Sequence, residues 1–268
     1  MKYILLSLFS LLIILGLLIL IVFLINKVKK LKWWINTIGV FLLTIIISIS
    51  SALIYFAINY NATENAKSYL KSDELIEVID DKSYIKFDNI EYNESAILFY
   101  GGAKVEEASY AQLCNQIAHE GIDVFLVKFP LYFPLININA ADKIVSTNDY
   151  KNLYLMGHSL GGTCCSLYLT NTQYSYKGII FLASYSKQKL NDSLKCLSIY
   201  GSCDTVLDKD EYNRNIVNFP KDYKEVIIDG GNHSNFGDYG FQKGDEASSI
   251  SKDKQIEITI SEIVSFII

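Results

Sequence analysis

Leu153-Tyr154-Leu155-Met156-Gly157-His158-Ser159-Leu160-Gly161-Gly162 is the stretch on which the reading of this chain turns. Four apolar residues run straight into G-x-S-x-G, and a helical pattern follows, which is the order strand, sharp turn, helix. Such a turn thrusts its serine out above the strand end. Glycine is wanted at 157 and 161 because a side chain at either position would collide with the neighbouring strand and helix.

A serine hydroxyl is a poor nucleophile near neutral pH, so Ser159 requires a base within hydrogen-bonding reach, and the base requires an acid that orients it. The chain has 3 histidines. His158 precedes Ser159 on the turn and is expected to point away from it, and His119 ends a predicted helix far from the strand tips. His233 remains, just past the last apolar strand, and is the expected base. The acid should follow the preceding strand, where Gly201-Ser202-Cys203-Asp204 presents Asp204; Asp208 and then Asp229 are the alternatives. The chain order Ser159, Asp204, His233 differs from that of chymotrypsin-like and subtilisin-like proteases. Two backbone N–H groups must also hold a developing oxyanion. One is expected from Leu160, at the positive end of the helix after the nucleophile, and the other from Ala103 or Gly102 in the Gly101-Gly102-Ala103-Lys104 turn.

Outward from this core the pattern repeats. Short apolar runs at Ser95 to Tyr100, Ile122 to Phe129, Asn152 to Met156, Gly178 to Ala183, Cys196 to Tyr200 and Glu225 to Ile228 read as strands covered on both faces. Amphipathic stretches at Glu106 to Glu120, Ala140 to Thr147, Leu160 to Leu169, Asp208 to Val217 and Lys252 to Ile268 read as helices. Alternation of this kind predicts an α/β fold with a mostly parallel, doubly wound sheet. Tyr84 to Phe87 and Ile90 to Tyr92 look like an antiparallel hairpin leading into it. Ser184 to Ser193 is too short to carry a large cap, so the site is expected to be open.

The N-terminal part is different. Ile4 to Ile25 carries no charge, and neither does Trp33 to Thr63, whose apolar heart is Trp34 to Ile58. Each exceeds the roughly 20 residues that a membrane-crossing helix needs. The expected organisation is two transmembrane helices at about 4–25 and 34–58, a connector over 61–82 in which the amphipathic stretch Tyr69 to Ile79 reads as a connector helix or an opening strand, and the enzyme-like domain over 83–268. Four lysines between Asn26 and Lys32 place the short loop in the cytoplasm by the positive-inside rule, so the domain is expected on the outer side of a cell membrane. The rival reading makes the first run a cleaved signal peptide, but its apolar stretch is too long and no small-x-small cleavage site follows. The Trp33-Trp34 pair falls where an aromatic belt would lie.

Composition narrows the classes. Among 268 residues, 50% are hydrophobic and 20% charged, which excludes a disordered chain. A net charge of −5 without a dense basic tract beyond Lys27 to Lys32 leaves no footprint for nucleic acid. Five cysteines without C-x-x-C spacing argue against a zinc site or a complete disulfide framework. Cys164 and Cys165 read as buried helix thiols, and Cys196 and Cys203 imply no bridge. The tail Asn235 to Gly244, rich in glycine, is expected to fold over His233, and its spacing is not that of an EF-hand.

These residues resemble the α/β-hydrolase superfamily, more narrowly the fold-5 type of bacterial domain related to dienelactone hydrolases. The likeness covers about Ala96 to Ser251 and rests on Phe99-Tyr-Gly-Gly-Ala-Lys-Val-Glu, Asn137-Ile-Asn-Ala-Ala-Asp, Gly157-His-Ser-Leu-Gly-Gly, Gly201-Ser-Cys-Asp and Gly230-Gly-Asn-His-Ser-Asn-Phe-Gly-Asp-Tyr-Gly. The resemblance implies a hydrolytic Ser159, Asp204 and His233 triad without metal or organic cofactor. Similar chains usually carry Pro-Gly-Gly where this one has Gly101-Gly102-Ala103. Dienelactone hydrolases proper use a cysteine nucleophile, so their substrate does not carry over to Ser159.

The expected function is a membrane-anchored serine hydrolase that cleaves a small-molecule or lipid ester or thioester through an acyl-serine intermediate. The apolar loop Pro130-Leu-Tyr-Phe-Pro-Leu-Ile-Asn would form one wall of an acyl pocket or pack beneath the sheet edge. The same triad would also serve an acyltransferase, in which an alcohol or amine replaces water. A non-catalytic membrane interaction protein that keeps the fold is the third reading.

Overall fold

The computed structural model of the chain describes residues 14–22, 25, 33–91 and 93–268. The chain divides into two compact units between Ile58 and Asn59. In the first unit, residues 14–22 are helical and a 25-residue helix spans Trp33–Ala57. The rest of the expected first span, 4–13 and 23–24, lies outside the described residues, as does the lysine loop 26–32. Side chains of the second helix are described without a break only over 37–51, and among the described residues no helix is long and apolar enough to cross a membrane.

The second unit is built on an eight-stranded sheet. Its strands are β1 (Ile76–Asp80), β2 (Tyr84–Asn89), β3 (Ser95–Tyr100), β4 (Asp123–Val127), β5 (Asn152–His158), β6 (Gly178–Leu182), β7 (Lys195–Gly201) and β8 (Tyr223–Ile228), in the spatial order β1-β2-β4-β3-β5-β6-β7-β8. From β4 through β8 every pairing is parallel, whereas β1 with β2 and β2 with β4 are antiparallel. All five residues of β4 and of β6 are buried, as a strand covered on both faces requires.

Side chains alternate between two cores. Ile97, Phe99, Val124, Leu126, Met156, Ile180 and Leu182 point to one face, where the helices Ala111–His119 and Lys252–Ile267 cover them. Leu98, Phe125, Leu155, Ile179, Phe181 and Cys196 point to the other, under Leu160–Leu169, Ala141–Val145 and Lys209–Asn215. Each fully buried side chain of this size contributes about 1.5–3 kcal/mol. The C-terminal helix shows how the sequence sets such packing. Ser251 caps it by accepting from the Lys254 N–H, and Ile256, Ile260 and Ile263 recur on the face that meets the sheet.

One expectation is corrected here, and one left open is decided. The hairpin joins β1 to β2, with Ile76 opposite Asn89 and Asp80 opposite Ile85, and does not join Tyr84 to Phe87 with Ile90 to Tyr92. Asp81 makes the turn, accepting from the Ser83 N–H at 2.8 Å, while Ile90 and Glu91 lie in the following loop and Tyr92 lies outside the described residues. Of the two readings of Tyr69 to Ile79, the structure has the opening strand, as β1 of the sheet, and ahead of it Tyr60, Thr63 and Asn65 bond to Lys104 and Asp238. No helix or strand interrupts 183–194, where a cap would be inserted.

Candidate active site

The register of the central strands sets the stage. Tyr100, the last residue of β3, lies opposite Gly157 of β5, and His158 lies opposite Leu182 of β6. The chain then reverses at Ser159, whose φ of 53° and ψ of −125° are costly for a residue with a side chain. Its surroundings hold it there: the Ser159 N–H donates to the Leu182 carbonyl at 2.9 Å, and its own carbonyl accepts from the Gly162 N–H at 3.1 Å and from Ser184 Oγ at 2.6 Å. The glycines are obligatory for a measurable reason. A Cβ on Gly157 would come within 2.4 Å of the Gly162 backbone, and one on Gly161 within 2.1 Å of the Tyr100 carbonyl oxygen. Strand and helix therefore touch through bare backbone, and Ser159 at the bend is half-buried.

Asp204 and His233 come together. Asp204 Oδ2 accepts from His233 Nδ1 at 2.8 Å, and both side chains are shut from solvent. The other carboxylate oxygen accepts from the N–H groups of Val206 at 2.9 Å and Leu207 at 2.8 Å, which fixes the plane of the acid. With Nδ1 carrying the hydrogen, Nε2 of His233 is the bare acceptor; it is buried and meets no hydrogen-bond partner among the described residues. The imidazole of His233 lies 4.6 Å, centre to centre, from that of His158, the neighbour of Ser159. A free, buried acceptor nitrogen beside the serine turn is what a general base needs before substrate arrives.

The base loop is held from two sides. Gln255 clamps Asn232, its Oε1 accepting from the Asn232 N–H at 3.0 Å and its Nε2 donating to the Asn232 carbonyl at 2.8 Å. Asp245 takes the next residues: one oxygen accepts from Ser234 N–H and Oγ, the other from the Thr205 N–H. The tail 235–244 lies over Tyr110 and His158, with Phe236 against the His158 ring and Tyr239 against Tyr110. Among the described residues no three His, Cys, Asp or Glu side chains cluster as metal ligands would.

The remaining candidates are accounted for. Asp208 caps the helix Lys209–Asn215 through the Glu211 N–H, and Asp229 accepts from Ser202 Oγ at 3.3 Å. His119 pairs with Asp73 at 3.2 Å, away from these loops. All five cysteines are free thiols. Leu160 is the first residue of its helix, where an N–H has no intrahelical carbonyl to meet. The Ala103 N–H donates to no group among the described residues. Gly102 is a correction: its N–H donates to Tyr110 Oη at 2.9 Å, so that amide is occupied, which leaves Ala103 of the two residues expected. The loop after β4 carries Leu131, Leu135 and Ile136 exposed, with Leu131 and Tyr132 at positive φ.

Sequence reasoning missed Tyr110 and the engagement of His158. His158 is fully buried between Tyr110 Oη, 2.8 Å from Nδ1, and the His233 carbonyl oxygen, 3.1 Å from Nε2. Burial foremost, and then the neighbouring His233, hold its pKa well below the usual 6.5. A histidine inside G-x-S-x-G was the available signal; nothing in the linear sequence pairs it with a tyrosine 48 residues away.

The model of the alpha/beta hydrolase family matches residues 96–257. No curated protein matches the sequence. Among solved structures, dienelactone hydrolase from Anabaena variabilis is similar, with a TM-score of 0.55 at 10% identity over 73% of this chain and 100% of that one. Carboxyl esterase 2 from the mycorrhizal fungus Tuber melanosporum gives 0.52 at 11% identity, covering 78% and 91%. A predicted CIB-like hydrolase from Thermoplasma acidophilum gives 0.51 at 16% identity, covering 71% and 97%. At such identities the likeness is one of fold.

Proposed function

The chain belongs to the alpha/beta hydrolase family, and on that premise we propose that it cleaves a carboxylic ester or thioester through an acyl-Ser159 intermediate. One observation carries the reading: His233 is locked to Asp204 through Nδ1 while its buried Nε2 is left without a partner beside the serine turn.

In this reading His233 Nε2 takes the hydroxyl proton as Ser159 Oγ bonds to the acyl carbon. The carbonyl electrons move to oxygen, and the N–H groups of Leu160 and Ala103 receive the negative charge. Collapse breaks the bond to the alcohol or thiol, which leaves with the proton from His233. Water then repeats the sequence and frees the acid. Asp204 stabilises the imidazolium without taking its proton. The exposed Leu131, Leu135 and Ile136 offer an apolar wall for the acyl part.

The hydrolase is further read as membrane-anchored with its domain outside the cell. Support comes from the two uncharged runs at 4–25 and 33–63 and the four lysines between them.

The decisive experiment uses the full-length chain in detergent micelles with p-nitrophenyl butyrate and a fluorophosphonate probe. Ser159→Ala is expected to lose labelling entirely and turnover by several orders of magnitude. Turnover retained in the clean variant overturns the mechanism. For the anchor, protease added to intact cells should digest the domain; full protection would reverse the assigned orientation.

A further inference from the structure

Tyr110 and His158 link two loops of the site without belonging to its reacting groups. The Gly102 N–H donates to Tyr110 Oη, Tyr110 Oη meets His158 Nδ1, and His158 Nε2 meets the His233 carbonyl oxygen. A carbonyl oxygen only accepts, so Nε2 carries the hydrogen and Nδ1 is bare; the Tyr110 hydroxyl, already accepting from Gly102, donates to it. A single placement of hydrogens satisfies every group in the chain. That placement needs a neutral imidazole, which the buried setting of His158 favours.

The contacts around this chain are tight. A Cβ on Gly101 would lie 2.8 Å from the Tyr110 ring, and one on Gly102 would lie 3.0 Å from Tyr110 Oη and 3.1 Å from His158 Nδ1, so the Gly101–Ala103 turn rests on the two side chains. Phe99 and Phe236 wall them in, with ring centres at 4.9 Å from Tyr110 and 5.6 Å from His158. If volume alone mattered here, phenylalanine would serve at both positions, without the cost of burying two polar groups. What the polar pair adds is direction: it occupies the Gly102 amide and fixes the carbonyl of the base residue.

We propose that Tyr110 and His158 are positioning residues that hold the Gly101–Ala103 turn and the His233 loop in register, so that the Ala103 N–H meets the oxyanion while His233 Nε2 faces Ser159. The inference rests on the roles assigned above to Ser159 and His233. Neither positioning residue exchanges a proton with substrate, because Tyr110 Oη and both nitrogens of His158 are engaged within the chain.

The test compares Tyr110→Phe, His158→Phe and the double variant, as full-length chains in detergent micelles, with kcat expressed per site titrated by a fluorophosphonate. Each single variant should lower kcat toward p-nitrophenyl butyrate about ten- to hundredfold, the scale of a small misplacement of catalytic groups. KM should stay within about twofold, since ground-state binding is untouched. The double variant should be no worse than the poorer single one, because a chain broken at either link is already broken. His158→Gln keeps an acceptor toward Tyr110 and a donor toward His233, and should retain more kcat than His158→Leu; this comparison and Tyr110→Phe decide the matter if His158→Phe fails to fold. Wild-type kcat per titrated site in the single variants, or losses that multiply, overturn the positioning role alone. Turnover surviving in Ser159→Ala overturns the site reading and the positioning role together.

Discussion

Asp245 holds Ser234 twice through one carboxylate oxygen, accepting from the N–H at 2.9 Å and from Oγ at 3.1 Å. Its other oxygen accepts from the N–H of Thr205, so one buried carboxylate joins the residue after Asp204 to the residue after His233. Asp245→Ala strands a buried N–H, and heat denaturation should show a loss of about 1–3 kcal/mol. Turnover should fall with it by about tenfold as the acid and base loops part. Unchanged stability and kcat would leave Asp245 without the role described.

Asp204→Asn keeps the shape of the acid and reverses its preference for the imidazole tautomer. Its amide still has an oxygen for the Val206 and Leu207 N–H groups, so the fold should persist. Steady-state kcat should drop about 10³- to 10⁴-fold, as for other triads stripped of the orienting charge. A drop under about tenfold would remove Asp204 from the mechanism.

His158 gives the stability a pH dependence of definite sign. Its folded-state pKa lies well below the unfolded 6.5, so below pH 6.5 the unfolded chain binds a proton that the folded chain refuses. Stability from this residue is complete above 6.5 and is lost as pH falls from there toward the lower folded value. Melting temperatures recorded from neutral pH downward should decline, and His158→Phe should flatten that decline. An equal slope in the variant would refute the assignment.

Two glycine substitutions should separate sharply. Gly161→Ala drives a methyl group to 2.1 Å from the Tyr100 carbonyl, where backbone meets backbone, and should cost more than about 3 kcal/mol and abolish folding or activity. Gly240→Ala meets nothing within 4 Å and suffers only its φ of 79°. A cost of about 1 kcal/mol, with kcat intact, is expected there from calorimetry and assay.

Thiol chemistry offers a check on the cores. Cys114, Cys164, Cys165 and Cys196 are fully buried, and burial pushes Cys164 up to about 12. Cys203 is half-exposed. Maleimide should modify one thiol per native chain and all five in denaturant, with the native adduct mapping to Cys203 by mass spectrometry.

Much of this was legible because buried parallel strands write themselves as apolar runs, as at 96–99, 153–156 and 178–182. β1 was ambiguous for the opposite reason. Only Ile76 of its five residues is buried, and the charged Glu77 and Asp80 leave a connector helix as readable there as an opening strand. At the site, Ser159 announces itself through glycine spacing, whereas the fate of the Gly102 amide depends on a tyrosine that a helix brings back over the turn. Asp204 already reads as the preferred acid from its place just past β7, and the coordinates add its bond to His233 Nδ1 while Asp208 caps a helix.

Ser159, Asp204 and His233 all emerge where strands of the sheet finish, beyond β5, β7 and β8. The turns that enter the parallel strands, such as 170–177 before β6, stand on the far rim and carry none of them. That separation lends the molecule to engineering: a reporter or affinity tag spliced at Thr172 to Ser175 should travel with a working enzyme, and outlet-side loops can diversify for new substrates while the inlet side keeps the scaffold intact.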